Sequence, residues 1–335
     1  MLNTFISSIV KKATSKKNVM NYISFMAIFI LILVFTAMDS SFINQANLKN
    51  LLSDTAPLMI MAAGMTFVIL LASIDLSTGA ICSVANVLVV KFLTTFNEKV
   101  GNIYLAAFLA YILALVFGAF AGMIIGLLSA KLKMPSFIAS LGLMSVWKSA
   151  ALLITAAPIS IPKKSWGAIG WFNINFGVIG FPLILAVLLI GFFFILQSRT
   201  VFGKSIMAIG GNERAARMAG MNVNKAKILA FVLNGVCAAA GGIFLAAKLK
   251  SSAPTVGDSF TLLVIASVVL GGTALSGGKG SLLGTILGVF TVSIIRNGMN
   301  IVGVDVFWQN IVFGLVILGA IAITTDRSAR SLVIK

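Results

Sequence analysis

The chain has 335 residues, 59% of them hydrophobic and only 10% charged, with 25 Lys and Arg against 8 Asp and Glu and no histidine. A mean hydropathy of +1.09 excludes a soluble globular domain, because contiguous exposed apolar surface drives association. The lack of histidine excludes the common zinc ligand sets and His-based catalytic triads.

Runs of about 18 or more apolar residues recur along the chain, and each matches a hydrocarbon core ~30 Å thick. They define an all-α polytopic membrane protein, since a transmembrane β-barrel would show short stretches of alternating polarity. The net charge of +17 is scattered among these spans and forms no single basic stripe, so it reads as membrane topology and not as nucleic-acid binding.

In chain order, residues 1–21 form a basic N-terminal segment. No small-x-small cleavage site follows the first apolar run, so that run reads as an uncleaved helix. About ten transmembrane helices are expected, near 22–38, 55–73, 78–97, 103–129, 136–156, 177–196, 228–247, 259–275, 281–300 and 308–325. Residues 22–326 make the membrane domain, 197–227 its large polar loop and 327–335 a tail. With both termini inside, the inner segments hold 16 of the Lys and Arg residues and the outer segments 7. That asymmetry places both termini and 197–227 in the cytoplasm.

Two short loops, SIDLSTG (73–79) and GGTALSGGKG (271–280), interrupt apolar runs. Such breaks mark a transport pathway in many transporters, and Gly and Ser are also ordinary turn residues. Gly118, Gly122 and Gly126, and again Gly280, Gly284 and Gly288, lie one helical turn apart and predict close helix packing. Cys82 and Cys237 fall inside apolar runs as packing residues. Asp75, Asn86, Lys148, Asn234, Arg296, Asn297 and Asn300 fall in or at the ends of spans. A charge in hydrocarbon normally faces a cavity or a partner, so Asp75, Asn86, Lys148 and Asn234 are the candidate pathway residues. Asp75 is expected at an exposed end of its span, where it caps the following helix with Ser77 and Thr78. Lys148 either faces the pathway or snorkels, and Arg296 is expected to snorkel.

Within the polar loop, GGNERAARMAG (210–220) predicts a short helix. Asn212 caps it, Glu213 complements its positive end and Gly220 stops it. Ala215, Ala216, Met218 and Ala219 form a small apolar face, with Arg214 and Arg217 turned away. Two turns are not stable alone in water, so the helix lies on anionic lipid or docks on a cytoplasmic protein.

AIGGNERAARMAGMNV resembles the cytoplasmic signature of the ribose/xylose/galactose-type ABC transporter permeases. GMTFVILLASIDLSTGA (64–80), MPSFIASLGLMSV (134–146), GTALSGGKGSLLGTILG and the region around WQNIVFGLVIL resemble further segments of that family, in order, over roughly 50–330. The resemblance implies a permease that pairs with a second permease subunit, as a homodimer or heterodimer. It implies a cytoplasmic ABC ATPase as partner, and a periplasmic or lipid-anchored binding protein that delivers a monosaccharide. It assigns coupling to the ATPase to Asn212, Glu213, Arg214, Ala215, Ala216, Arg217, Met218, Ala219 and Gly220. It implies no enzymatic activity, cofactor or metal in this chain, and location in the cytoplasmic (inner) membrane. The chain departs from the family at Thr261-Leu262-Leu263, at Lys148-Ser149 and at Ala72 and Ser73, which stand where the family carries other residues.

GKS at 203–205 is not a phosphate-binding loop, because Ser198 occupies the first glycine position and a membrane span precedes it. Energy must therefore come from a partner subunit or an ion gradient. The alternative reading is an ion-coupled secondary transporter, for which Asp75 is the one candidate carboxylate in a span. A membrane-embedded enzyme would need convergent nucleophile, base or metal ligands.

Overall fold

The computed structural model describes residues 16–324. The predicted tail, most of the basic N-terminal segment, and Lys11, Lys12, Arg327, Arg330 and Lys335 lie outside the described residues. The helices are α1 (Lys16–Met38), α2 (Gln45–Leu70), α3 (Thr78–Val100), α4 (Ile103–Ala130), α5 (Ser136–Ile154) and α6 (Phe181–Arg199). They continue as α7 (Val201–Gly211), α8 (Glu213–Met218), α9 (Val223–Leu249), α10 (Phe260–Leu270), α11 (Leu282–Ile301) and α12 (Val306–Thr324). Between α5 and α6 lie a 3₁₀ stretch (Lys163–Asn173) and a small hairpin, β1 (Asn175–Phe176) and β2 (Ile179–Gly180).

Seven helices among the described residues are long and apolar enough to cross a membrane: α2, α3, α4, α5, α6, α9 and α11. Shorter apolar helices cover Phe25–Met38, Val201–Gly211, Phe260–Leu270 and Val306–Gly319. Several predicted spans change shape. The second starts at Gln45, ten residues early, because Asn44 caps it by accepting from the Ala46 N–H, and the helix passes through Pro57. The eighth, expected over 259–275, holds only the eleven residues of α10. Eleven residues rise about 16 Å, roughly half the hydrocarbon thickness. The sixth begins at Phe181, after the hairpin, with Pro182 in its first turn.

Helix α9 packs on α2, α3 and α4 at the centre of the bundle. The predicted glycine ridge of α4 makes one of these contacts: a Cβ at Gly118 would stand 2.4 Å from the Gly235 carbonyl, and one at Gly122 would stand 2.1 Å from the Phe231 carbonyl. Backbone therefore rests on backbone. Gly284 and Gly288 do the same for α11 against α10, while Gly280 precedes the helix with φ +156° and abuts Thr273. Cys82 and Cys237 are free thiols buried in this core.

Four helices end in one hydrogen-bonded motif. After α8, α10 and α11, Gly220, Gly272 and Gly303 adopt φ near +80°, and their N–H and the next one close the last turn. This is the left-handed stop that glycine favours. After α2 the same two bonds form, Ala72 to Ile69 and Ser73 to Val68, but the left-handed residue is Ala72, at φ +54°.

Candidate functional site

Helices α7 and α8 form an elbow at one end of the bundle. Thr200 caps α7 by accepting from the Gly203 N–H, and Asn212 ends α7 and caps α8 by accepting from the Ala215 N–H at 3.0 Å. Glu213 stands in the first turn of α8, where the helix dipole favours an anion. Its Oε1 accepts from Arg217 at 3.1 Å and its Oε2 from Lys227 of α9 at 2.8 Å. Partial burial works to raise the Glu213 carboxyl, but the hydrogen bonds and charges of Lys227 and Arg217 hold it below the usual carboxylate value. Of the apolar face expected on α8, only Ala216 is buried in this chain; Ala215, Met218 and Ala219 face outward, Met218 at 85% exposure. Arg214 is exposed as well.

Besides the side-chain contacts of Phe202 with Phe67 and of Glu213 with Lys227, the elbow meets the rest of the bundle at one point backbone to backbone. A Cβ at Gly210 would lie 1.7 Å from the Leu70 carbonyl and 2.7 Å from the Gly278 nitrogen. Gly278 N–H donates to that same Leu70 carbonyl at 2.8 Å. The end of α2, the 271–280 loop and the end of α7 thus meet where no side chain fits. Gln197, at the end of α6, adds a tie by accepting from the Leu282 N–H at 3.0 Å.

From this junction residues 71–77 turn back into the protein. Asp75, Ser77 and Thr78 are wholly buried, which corrects the expectation that Asp75 lies at an exposed helix end. Nor does Asp75 cap α3 directly: its Oδ1 accepts from the N–H and hydroxyl of Ser77, at 2.8 and 2.7 Å, before the helix starts. Its Oδ2 accepts from Asn234 Nδ2 of α9 at 2.8 Å, and that nitrogen also reaches Thr78 Oγ1 at 2.9 Å. Asn234 Oδ1 has no partner among the described residues. Ser136 and Ser140 of α5 accept from the N–H groups of Ile74 and Leu76. Thr261 of α10 accepts from the Gly79 N–H. An irregular segment inside a bundle needs such partners for each backbone donor.

The segment before α10 is tied down in the same way. Asn86 Oδ1 accepts from the Ala253 N–H at 2.9 Å, Ser83 Oγ accepts from the Gly257 N–H at 2.9 Å, and Gly79 and Gly257 pack backbone to backbone. Asn86 is therefore a brace between α3 and this segment. Lys148 is half-exposed on α5 and pairs with Asp258 at 2.9 Å, so it has an ionic partner and does not stand alone in a span. Asp75 and Asn234 are brought together; Asn86 and Lys148 each sit elsewhere along the 253–261 segment.

At the end of the bundle away from the elbow lies a cavity of about 350 Å³, bounded by α2, α9, α10 and α11. Asp54, Lys248, Ser259, Ser293, Arg296 and Asn300 supply polar groups to it. None of the four predicted pathway residues lines it. Arg296 does not snorkel alone, since its guanidinium lies over the Phe260 ring at 5.5 Å. The signal for this cavity was present as three polar residues, Arg296, Asn297 and Asn300, along one span.

The chain matches the family described as branched-chain amino acid transport system / permease component over residues 47–321. It is 39% identical over 306 residues to the ribose import permease protein RbsC of Bacillus subtilis (strain 168), covering 91% of this chain and 92% of the relative. It is 35% identical over 306 residues to the probable ABC transporter permease protein YphD of Escherichia coli (strain K12), covering 90% and 89%. It is 31% identical over 339 residues to the galactose/methyl galactoside import permease protein MglC of Escherichia coli (strain K12), covering 95% and 99%. No solved structure matches the chain.

Proposed function

The chain belongs to the branched-chain amino acid transport system / permease component family, and from that membership we propose that it is the membrane subunit of an ATP-driven importer of a monosaccharide. The relatives named as ribose and galactose import permeases, aligned over nearly their whole length, support the substrate class. The observation that carries the mechanism is the junction of Gly210, Leu70 and Gly278. Through it, a push on the exposed α7–α8 elbow reaches the two helix breaks without passing through a side chain.

In this reading a cytoplasmic ABC ATPase seats on α8. Met218, Ala215 and Ala219 offer it an apolar patch, while Glu213 holds the elbow to α9 through Lys227. ATP-driven closure displaces the elbow, and the ends of α2 and α10 move with it. A ligand biases such a switch only by its difference in affinity for the two states. A binding protein delivers the sugar at the far end, and a second permease subunit completes the pore. The seven long helices, with Phe25–Met38, Phe260–Leu270 plus its flanks, and Val306–Gly319, make ten crossings; α7 stays outside the hydrocarbon, and both termini are cytoplasmic. Asp75 and Asn234 line up as hinge supports beside the pathway and not as a solute site, because both Asp75 oxygens are occupied by protein donors. That occupancy also disfavours Asp75 as the carboxylate of an ion-coupled carrier.

The test is Met218→Glu in the full chain. Met218 buries almost nothing within its own subunit, so the variant is expected to insert normally, lose co-purification with the ATPase and lose transport. Retention of both ATPase and wild-type transport would remove α8 as the docking element.

A further inference from the structure

The cavity at the end away from the elbow has a surplus of hydrogen-bond donors. Arg296 carries five N–H donors yet donates to no described residue; its contacts are the Phe260 ring at 5.5 Å and the charge of Asp54. Asp54 is itself paired with Lys248. Asn300 spends its oxygen on Gln309 Nε2 at 2.7 Å and leaves its own NH₂ free among the described residues. Asn297 is different: it closes a reciprocal amide pair with Asn47, at 2.8 and 2.9 Å, and only stiffens the wall. The volume, about 350 Å³, falls at the small end of the range for ligand pockets.

A guanidinium kept in a membrane helix without an acceptor is costly unless something supplies one. Its planar fork matches two neighbouring oxygens on a single solute. We infer that this cavity is a solute site within the permease, in which Arg296 donates to a pair of adjacent oxygens of a monosaccharide and Asn300 adds a further donor. The inference rests on the importer reading and deepens it. The adjacent oxygens are vicinal hydroxyls of a neutral sugar or the carboxylate of a sugar acid. The Asp54–Lys248 pair also lines the cavity, between the start of α2 and the end of α9.

Ser259 offers a reporter. It lines the cavity, is exposed and makes no side-chain cap bond to α10, and the two native cysteines are buried. Full-length Ser259→Cys in lipid nanodiscs is labelled with a small methanethiosulfonate reagent in the presence of D-ribose, D-galactose or D-galacturonate. At least one sugar, at ten times its Kd, is expected to slow labelling about tenfold. Protection is expected to vanish in Arg296→Ala and in Arg296→Lys, which keeps the charge but loses the fork; the lysine variant carries the test if the alanine variant fails to fold. Protection by galacturonate at much lower concentration than galactose assigns the fork to a carboxylate, and equal concentrations assign it to hydroxyls; both support the site. No protection by any of the three sugars, or protection undiminished in Arg296→Lys, overturns it. ATPase co-purification is measured on the same preparations. Its loss with protection intact counts against the ATPase coupling alone, and the reverse counts against the cavity alone.

Discussion

The 71–77 break and the α7–α8 elbow are both short polar interruptions of a hydrophobic chain, and they settle their polar groups in opposite directions. The break turns inward: Asp75 is wholly buried and meets Ser77 and Asn234, and the loop N–H groups meet Ser136 and Ser140. The elbow turns outward: its charges sit at the surface, and of α8 only Ala216 is buried. A buried charge must find its partners within the chain, because no water is there to serve. An exposed two-turn helix can leave its partners to another protein. One interruption is therefore satisfied within the chain, and the other presents its side chains to the outside.

The contrast is broken most severely at Asn234. Asn234→Leu leaves the Asp75 carboxylate with one oxygen buried and unpaired, at a cost of roughly 3 kcal/mol. The expected result is a marked fall in the melting midpoint of the purified chain. Adding Asp75→Asn to that variant removes the charge and recovers part of the loss. Additive losses in the double variant would show that the two side chains do not support each other.

A smaller effect sharpens the comparison from the other side. Ala72 holds the left-handed position that glycine fills after α8, α10 and α11. Ala72→Gly relieves a conformation that costs an L-residue about 1 kcal/mol and is expected to raise the melting midpoint. An unchanged or lower midpoint would mean that the Ala72 methyl contributes packing that offsets its backbone strain.

The smallest effect belongs to the elbow. The Glu213 carboxyl is held below its usual value, so its contribution is complete above the unfolded-state value and is lost as pH falls through the lower folded value. Exposed ion pairs contribute modestly, about 1 kcal/mol or less. Hydrogen exchange across 213–219 is expected to quicken as pH falls through that range, after correction for intrinsic rates, and Glu213→Gln is expected to abolish the dependence. The same pH profile in Glu213→Gln would assign it to another group.

The elbow was legible in the sequence because its signals are local: Asn212 before Glu213, Arg217 four residues on, Gly220 at the stop. The glycine ridge of α4 was legible for the same reason. The setting of Asp75 was not, since its decisive partner is 159 positions away on α9. The half-length of α10 was hidden too: hydropathy reads 259–275 as one apolar run and is blind to the left-handed Gly272 that stops the helix after Leu270. The cavity was legible only on its α11 wall, as Arg296, Asn297 and Asn300, because Asp54 and Lys248 join it from two other helices.

The meeting of Gly210, Leu70 and Gly278 is made of main chain alone. A contact of that kind has no rotamer to relax and no methyl group to trim, so the main chain itself sets the spacing of the three segments. A single added methyl group, as in Gly210→Ala, would place a Cβ 1.7 Å from the Leu70 carbonyl and force the three segments apart.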